Sequence, residues 1–319
     1  MTNTEKSTDV RVVATELYLI PVETRMPIKF GPEVFTKVTY ARVRVLVEDR
    51  TGRSAVGWGE TPLSIQWCWP SPLSYARRHE ILLEFTRKLA KTWSTFSSQG
   101  HPLEVGSDFL EDVLGKLRAE ANERLADSEH IPYLAALVCC SPFDVALHDA
   151  YGNLHSQDSF ATFTPEFLNR DLAAYLEPAE VGVSFHNRYP GEYFRDPAST
   201  SLPAWHLIGG LDPLVASDLT GDEPDDGYPV LLGDWISQDG LDCLKIKLRG
   251  NDSEWDYERI VRVGRIAIEQ SVTWLTADFN CTVSEPEYVN AILDRLRDEE
   301  ARIYGMLLYV EQPFPYDLE

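Results

Sequence analysis

A chain of 319 residues, 44% hydrophobic and 25% charged, can bury a sizeable core, which excludes disordered and fibrous classes and fits one large domain plus a smaller one. Acidic residues outnumber basic ones by 51 to 29, and the resulting net charge of −22 argues against nucleic acid or anionic membrane as partners. The opening MTNTEKSTDV has no apolar signal core, and no uncharged apolar run is long enough to span a bilayer. Cys68, Cys139, Cys140, Cys243 and Cys281 show neither a paired framework nor a metal-ligand spacing, so buried thiols in a cytoplasmic protein are expected.

Arg11–Pro21 and Val38–Val47 are rich in β-branched and aromatic residues with partial period-two alternation, and the turn signal Asp49-Arg50-Thr51-Gly52 precedes a third such run, Ser54–Glu60. A three-stranded antiparallel meander is predicted, with a Pro- and Gly-bearing loop, Glu23–Glu33, between its first two strands. Helical periodicity follows over Leu73–Phe96, Glu104–Leu125 and Pro132–Asn153. The stretch Ser156–Asp239 is rich in Pro, Gly, Asp and aromatics and reads as an ordered but irregular insertion.

Beyond the insertion, strand and helix alternate. Cys243–Leu248, Thr273–Phe279 and Met306–Val310 read as strands, and Trp255–Gln270 as an amphipathic helix. A second helix is predicted to start at Ser284-Glu285-Pro286, with the serine capping, and to continue through Val289–Leu296. Strand, helix, strand at these spacings means βαβ units and a parallel sheet.

Three charged clusters fall at the C-terminal ends of the last three strands: Lys245 with Lys247, Asp278 with Asn280, and Glu311. Strand ends on that side of a parallel barrel form the rim where active sites are built. Asp278 and Glu311 can place carboxylate oxygens around one hard cation such as Mg²⁺. Lys245 and Lys247, two apart, share a strand face, where each ammonium is expected to lower the other's pKa and make one lysine a base near neutral pH. Taken singly, each feature has a bland reading as a solvated strand face, a turn cap or a loop acid. Their joint appearance at equivalent places on three consecutive strands favours a site.

Leu244-Lys245-Ile246-Lys247, Ala277-Asp278-Phe279-Asn280 and Val310-Glu311-Gln312-Pro313 resemble, in order, the second, third and fourth barrel strands of the mandelate racemase/muconate lactonizing branch of the enolase superfamily. Gly57-Trp58-Gly59-Glu60 resembles that family's capping-domain motif, and the run from Ser141-Pro142-Phe143-Asp144 to His148-Asp149-Ala150 its helix leading into the barrel. The resemblance implies an α/β protein: an α+β capping domain over residues 1–130, then a partial (β/α) TIM-type barrel of about four strands over 131–319, with the insertion at 156–239.

It further implies Asp278 and Glu311 as Mg²⁺ ligands, Lys247 as the base that takes the proton α to a carboxylate through an ene-diolate, and Lys245 assisting. Leu202–Gly210 looks like the family's first barrel strand, with His206 near its end. Asn280, His206 and Lys29, with Phe30 beside Lys29 in the loop expected to close the site, are candidate contacts to a small-molecule carboxylate substrate. The outcome would be racemisation or epimerisation, cycloisomerisation, or acid-sugar dehydration. The family's third metal ligand and its opposing acid/base come from later strands, so the chain is expected to be part of a longer protein that forms a homo-oligomer at full length. Competing readings are a non-catalytic or inactive fragment of the same fold and an unrelated aldolase barrel with a Schiff-base lysine.

Overall fold

The computed structural model describes residues 5–30, 33–195 and 197–315. By compactness the chain forms two units, one of Met1–Val22 with Val38–Ser199 and one of Glu23–Lys37 with Thr200–Glu319. Among the described residues, no helix is long and apolar enough to cross a membrane.

β1 (Val10–Phe30), β2 (Glu33–Asp49) and β3 (Ser54–Pro62) form a sheet in the order β1-β2-β3, of which Val10–Val22 and Val38–Pro62 belong to the first unit. β2 and β3 pair antiparallel, with Arg44 opposite Trp58 and Val47 opposite Ala55. The period of two sorts β2 cleanly. Ala41, Val43, Val45 and Val47 are buried, while Arg42 and Arg44 lie on the other face and pair with Glu60 and Glu16. The β2–β3 turn is tied by Asp49, whose carboxylate accepts from Thr51 N at 2.9 Å and Arg53 N at 3.0 Å.

The expected loop at Glu23–Glu33 is instead largely strand, through Phe30 and again from Glu33. β1 is an edge of its sheet, and an edge strand tolerates proline wherever the missing N–H would face away from the neighbouring strand. Gly31, Pro32 and the side chain of Phe30 lie outside the described residues.

Five helices follow: α1 (Ile65–Cys68), α2 (Tyr75–Trp93), α3 (Pro102–Phe109), α4 (Gly115–Asn122) and α5 (Tyr133–His155), with a π-helical turn at Leu110–Leu114 between α3 and α4. Trp93 stacks on Phe109 with ring centroids 3.9 Å apart, and Phe143 of α5 lies parallel to Trp93 at 6.2 Å. α5 presses directly on β3: a Cβ added at Gly57 would overlap Ala150 N, and one at Gly59 would overlap Pro142 O. Trp58 N, between those glycines, donates to Asp149 Oδ2 at 2.8 Å. The Gly57–Glu60 and Ser141–Ala150 motifs are thus two halves of one contact. Because α5 buries its apolar residues here, the compact units do not divide at residue 130, where the sequence boundary was drawn.

The insertion is mostly short 3₁₀ turns, at Ser159–Thr162, Leu172–Ala174, Pro190–Tyr193 and Ala216–Asp218. It also holds a strand, β4 (Trp205–Ile208), and a helix that the sequence reading missed, α6 (Leu232–Asp239). Leu232 and Ile236, one turn apart, bury that helix, and Gly240 at φ +61° ends it.

In the second unit β4, β5 (Cys243–Lys247), β6 (Trp274–Asp278) and β7 (Leu307–Glu311) form a parallel sheet in sequential order. The crossovers are α6, then α7 (Ser253–Glu269), then α8 (Pro286–Glu299) with a short α9 (Ala301–Met306). Asp252 caps α7 by accepting from Trp255 N at 3.1 Å. α8 is different: its N-cap residue is Glu285, which makes no side-chain cap bond, so Ser284 lies one residue too early for the capping role expected of it. One face of the sheet (Leu244, Ile246, Leu275, Ala277) is buried in a core with Ile260, Val263 and Ala267 of α7 and Ile292 and Leu296 of α8.

Candidate active site

The parallel registers decide which side chains can meet. Lys245 lies opposite Thr276 and Lys247 opposite Asp278, while Asp278 also lies opposite Glu311. Register partners share a face, so Lys245, Lys247, Thr276, Asp278 and Glu311 line the side of the sheet away from the helix-packed core. The same parity adds Leu207, opposite Lys245, and Tyr309, opposite Thr276, to this face. Trp205 and Tyr309, on the two outer strands, bring their ring centroids to 6.3 Å. Three strand spacings of about 4.8 Å separate those strands on a flat sheet, so the face is strongly concave.

Asp278 is the hub. Its Oδ2 receives Lys247 Nζ at 2.5 Å and Lys245 Nζ at 3.0 Å, and its Oδ1 accepts from Asn280 N at 2.8 Å. Lys247 also donates to Asn280 Oδ1 at 2.7 Å, and Lys245 reaches Glu311 Oε2 at 2.6 Å. Asn280 and Cys281 both take left-handed φ, +55° and +58°, which turns the chain back at the end of β6 and sets the Asn280 amide beside Lys247. Asp278 and Lys247 are buried, whereas Lys245 and Glu311 are partly open.

The two lysines do not depress each other symmetrically, as the sequence reading expected. Burial holds Lys247 below the usual lysine range, and the Lys245 charge adds to this against the opposing pull of Asp278. Burial also opposes the charge on Lys245, but hydrogen bonds and attraction from Glu311 and Asp278 outweigh it and raise its pKa. One side chain of the pair is pushed towards the neutral amine, and the other is fixed as an ammonium.

Of the remaining candidates, His206 stands apart. It lies opposite Leu244, which places it on the core-facing side of the sheet, and it packs on Trp235 with ring centroids 5.5 Å apart. Its strand was expected to carry it to the site, but the period of two puts Leu207 there instead. Lys29, in the second unit, runs its methylenes past Gly210 just beyond β4: a Cβ at Gly210 would meet Lys29 Cδ at 3.6 Å. Parity counted from Lys245, Asp278 and Glu311 is the signal that would have found Thr276, Tyr309 and Leu207. Thr276 is fully buried, and its hydroxyl has no hydrogen-bond partner among the described residues.

The donor set also bears on Mg²⁺. Two hard carboxylates, Asp278 and Glu311, converge on one cationic point, the Lys245 ammonium, and oxygen donors sharing one cation are what Mg²⁺ requires. Among the described residues no group of three or more His, Cys, Asp and Glu side chains comes together around one such point.

A scan against protein-family models finds no match, and a search of curated proteins finds none. Solved structures do match. The L-Ala-D/L-Glu epimerase from Bacillus subtilis, in a substrate-liganded complex, aligns with a TM-score of 0.55 at 16% identity, over 96% of this chain and 62% of its own. The dipeptide epimerase from Methylococcus capsulatus, complexed with Mg and the dipeptide L-Arg-D-Lys, aligns with a TM-score of 0.52 at 17% identity, over 96% and 62%. A mandelate racemase/muconate lactonizing protein from Herpetosiphon aurantiacus gives 0.51 at 16% identity, over 98% and 63%. The chain therefore spans just over three-fifths of the length of these proteins. The likeness establishes the fold, an antiparallel-sheet domain followed by a parallel-sheet α/β domain, and the expectation drawn from the strand motifs is met at that level.

Proposed function

We propose that the chain belongs to an enzyme of the mandelate racemase/muconate lactonizing branch of the enolase superfamily, an isomerase in which Lys247 removes the proton α to a substrate carboxylate. The observation that carries this is the convergence of Lys247, Lys245, Asp278 and Glu311 at the C-terminal ends of three adjacent parallel strands, on one concave face. Asp278 and Glu311 would hold Mg²⁺. When bound there, the metal supplies positive charge that offsets the negative charge a carboxylate gains on losing its α-proton.

The chain's own residues do the rest. Burial favours the neutral amine of Lys247, so its Nζ lone pair can accept the proton. The ammonium that results is received by Asp278 Oδ2 and Asn280 Oδ1, already in hydrogen-bond contact with it. Lys245, its charge favoured by Glu311 and Asp278, would assist as a cation beside the substrate carboxylate. Since the M. capsulatus structure holds a dipeptide, dipeptides and other acylated amino acids are the first substrates to try, ahead of hydroxy acids and acid sugars. The five free cysteines, four of them buried, support a cytoplasmic setting.

The test is Mg²⁺-dependent exchange of a dipeptide α-proton with deuterium, followed by NMR on the native gene product. Exchange that survives Lys247→Ala would overturn the assignment of the base. A second reading, a non-catalytic protein using the cluster as a buried ion network, is favoured by one observation: Lys245 already bridges both carboxylates. Under that reading Lys245→Met lowers the melting temperature and Mg²⁺ does not restore it, whereas a metal site would be relieved of a competing cation and bind Mg²⁺ more tightly.

A further inference from the structure

In a chain of net charge −22, cations are expected to be spoken for, and most arginines do sit in ion pairs or against carbonyls. The first unit holds an exception. A cleft of about 710 Å³ between α2 and the end of α4 is lined by Arg77, Arg87, Lys88, Lys91 and Arg124, with Glu84 as its single acidic lining residue.

Two of these cations build the walls. Arg77 reaches Glu129 at 2.8 Å and Lys88 reaches Glu120 at 2.7 Å, ties that bridge from α2 to α4 and to the 3₁₀ turn at Asp127–Glu129 and hold the cleft's width. The other three, Arg87, Lys91 and Arg124, form no ion pair within 4 Å among the described residues, although the chain carries 51 carboxylates. Arg87 and Lys91 are one turn apart on α2 and exposed, and Arg124 faces the same cleft from the turn after α4. The floor is apolar, with Ile81 and Phe85 from α2 and Leu125 opposite.

We infer that this cleft binds a small organic polyanion, one with an apolar body and two or more phosphate or carboxylate groups. Three cations outside ion pairs around one concavity, of which Arg124 also feels Glu120 at longer range, match separate anionic groups, and the guanidinium forks of Arg87 and Arg124 suit the planar or tetrahedral oxygens of either kind. The volume falls in the range of metabolite sites. The overall negative charge does not prevent this, because at physiological salt charges more than about 8 Å away are largely screened and the local cations dominate.

Titration calorimetry of the full chain at low salt, with pyrophosphate and with citrate as separate probes, tests the inference. Saturable one-to-one binding of either supports it, and the better probe distinguishes a phosphate from a carboxylate ligand. Affinity is expected to drop about tenfold or more in the exposed variants Arg87→Gln and Lys91→Gln, and to be unchanged in Lys37→Gln, outside the cleft. Circular dichroism checks that each variant is folded, and the two independent variants guard against one that is not. Binding of neither probe, or equal losses in the cleft and control variants, would overturn the proposal.

Discussion

Lys247 and Asp278 stand directly opposite each other in the β5–β6 register, with Nζ 2.5 Å from Oδ2. Both are buried, so the pair fixes the position of the amine to within a hydrogen bond while burial weakens its hold on a proton. Lys247→Ala is expected to reduce α-proton exchange by about 10²–10⁴-fold. Lys247→Arg should do the same, because a guanidinium does not deprotonate near neutral pH. Circular dichroism spectra matching the parent would separate loss of the base from loss of the fold.

If Asp278 and Glu311 hold Mg²⁺ as proposed, the metal would have to displace the Lys245 ammonium that bridges them. Millimolar Mg²⁺ is therefore expected to raise the melting temperature by a few degrees, and EDTA to reverse the gain. Glu311→Gln keeps the shape but removes one of the two carboxylates proposed to hold the metal, so the Mg²⁺ response should vanish while the metal-free melting temperature changes little. A Glu311→Gln protein that still responds to Mg²⁺ would place the metal elsewhere.

His101 caps α3, with Nδ1 accepting from Leu103 N at 3.1 Å and Nε2 in contact with Thr162 Oγ1 at 2.8 Å. Burial, reinforced by the charges of His148, His155 and Lys6, lowers its pKa from 6.5 to about 3. Between those values the unfolded chain binds a proton that the folded one does not. Stability from this group is therefore full above pH 6.5 and declines as pH falls towards 3, by up to about 1.4 kcal/mol per pH unit. His101→Asn keeps a capping acceptor without a titrating ring, and melting curves across that window should show a shallower acid slope.

Gly59 has no room for a side chain, since a Cβ would overlap Pro142 O of α5. Gly59→Ala is expected to destabilise the first unit by about 1–3 kcal/mol, read as a lower urea midpoint. A neutral result would mean that α5 and β3 can separate at no cost.

Much of this was legible because periodicity and strand-end charge are local signals. The Lys245–Lys247, Asp278 and Glu311 clusters were readable as a rim without any knowledge of packing. What sequence position alone hid was orientation. His206 and Leu207 are neighbours on one short strand, and only the pairing of His206 with Leu244 assigns the histidine to the core side. α6 escaped notice because two buried residues one turn apart are too brief a pattern to rise above the surrounding Pro, Gly and Asp. The Glu23–Glu33 stretch looked like a loop because its prolines are strand breakers in a sheet interior, and nothing in the sequence marks β1 as an edge.

The alternation along β6 ties two kinds of inheritance together. Leu275 and Ala277 serve the core, while Thr276 and Asp278 serve the opposite face. Losing or gaining one residue within Trp274–Asp278 would exchange the two sets at once, sending a carboxylate into the core and an apolar side chain to the rim. Descendants of this gene can therefore vary β6 by substitution, but a single-codon insertion or deletion there would cost them fold and chemistry in one event.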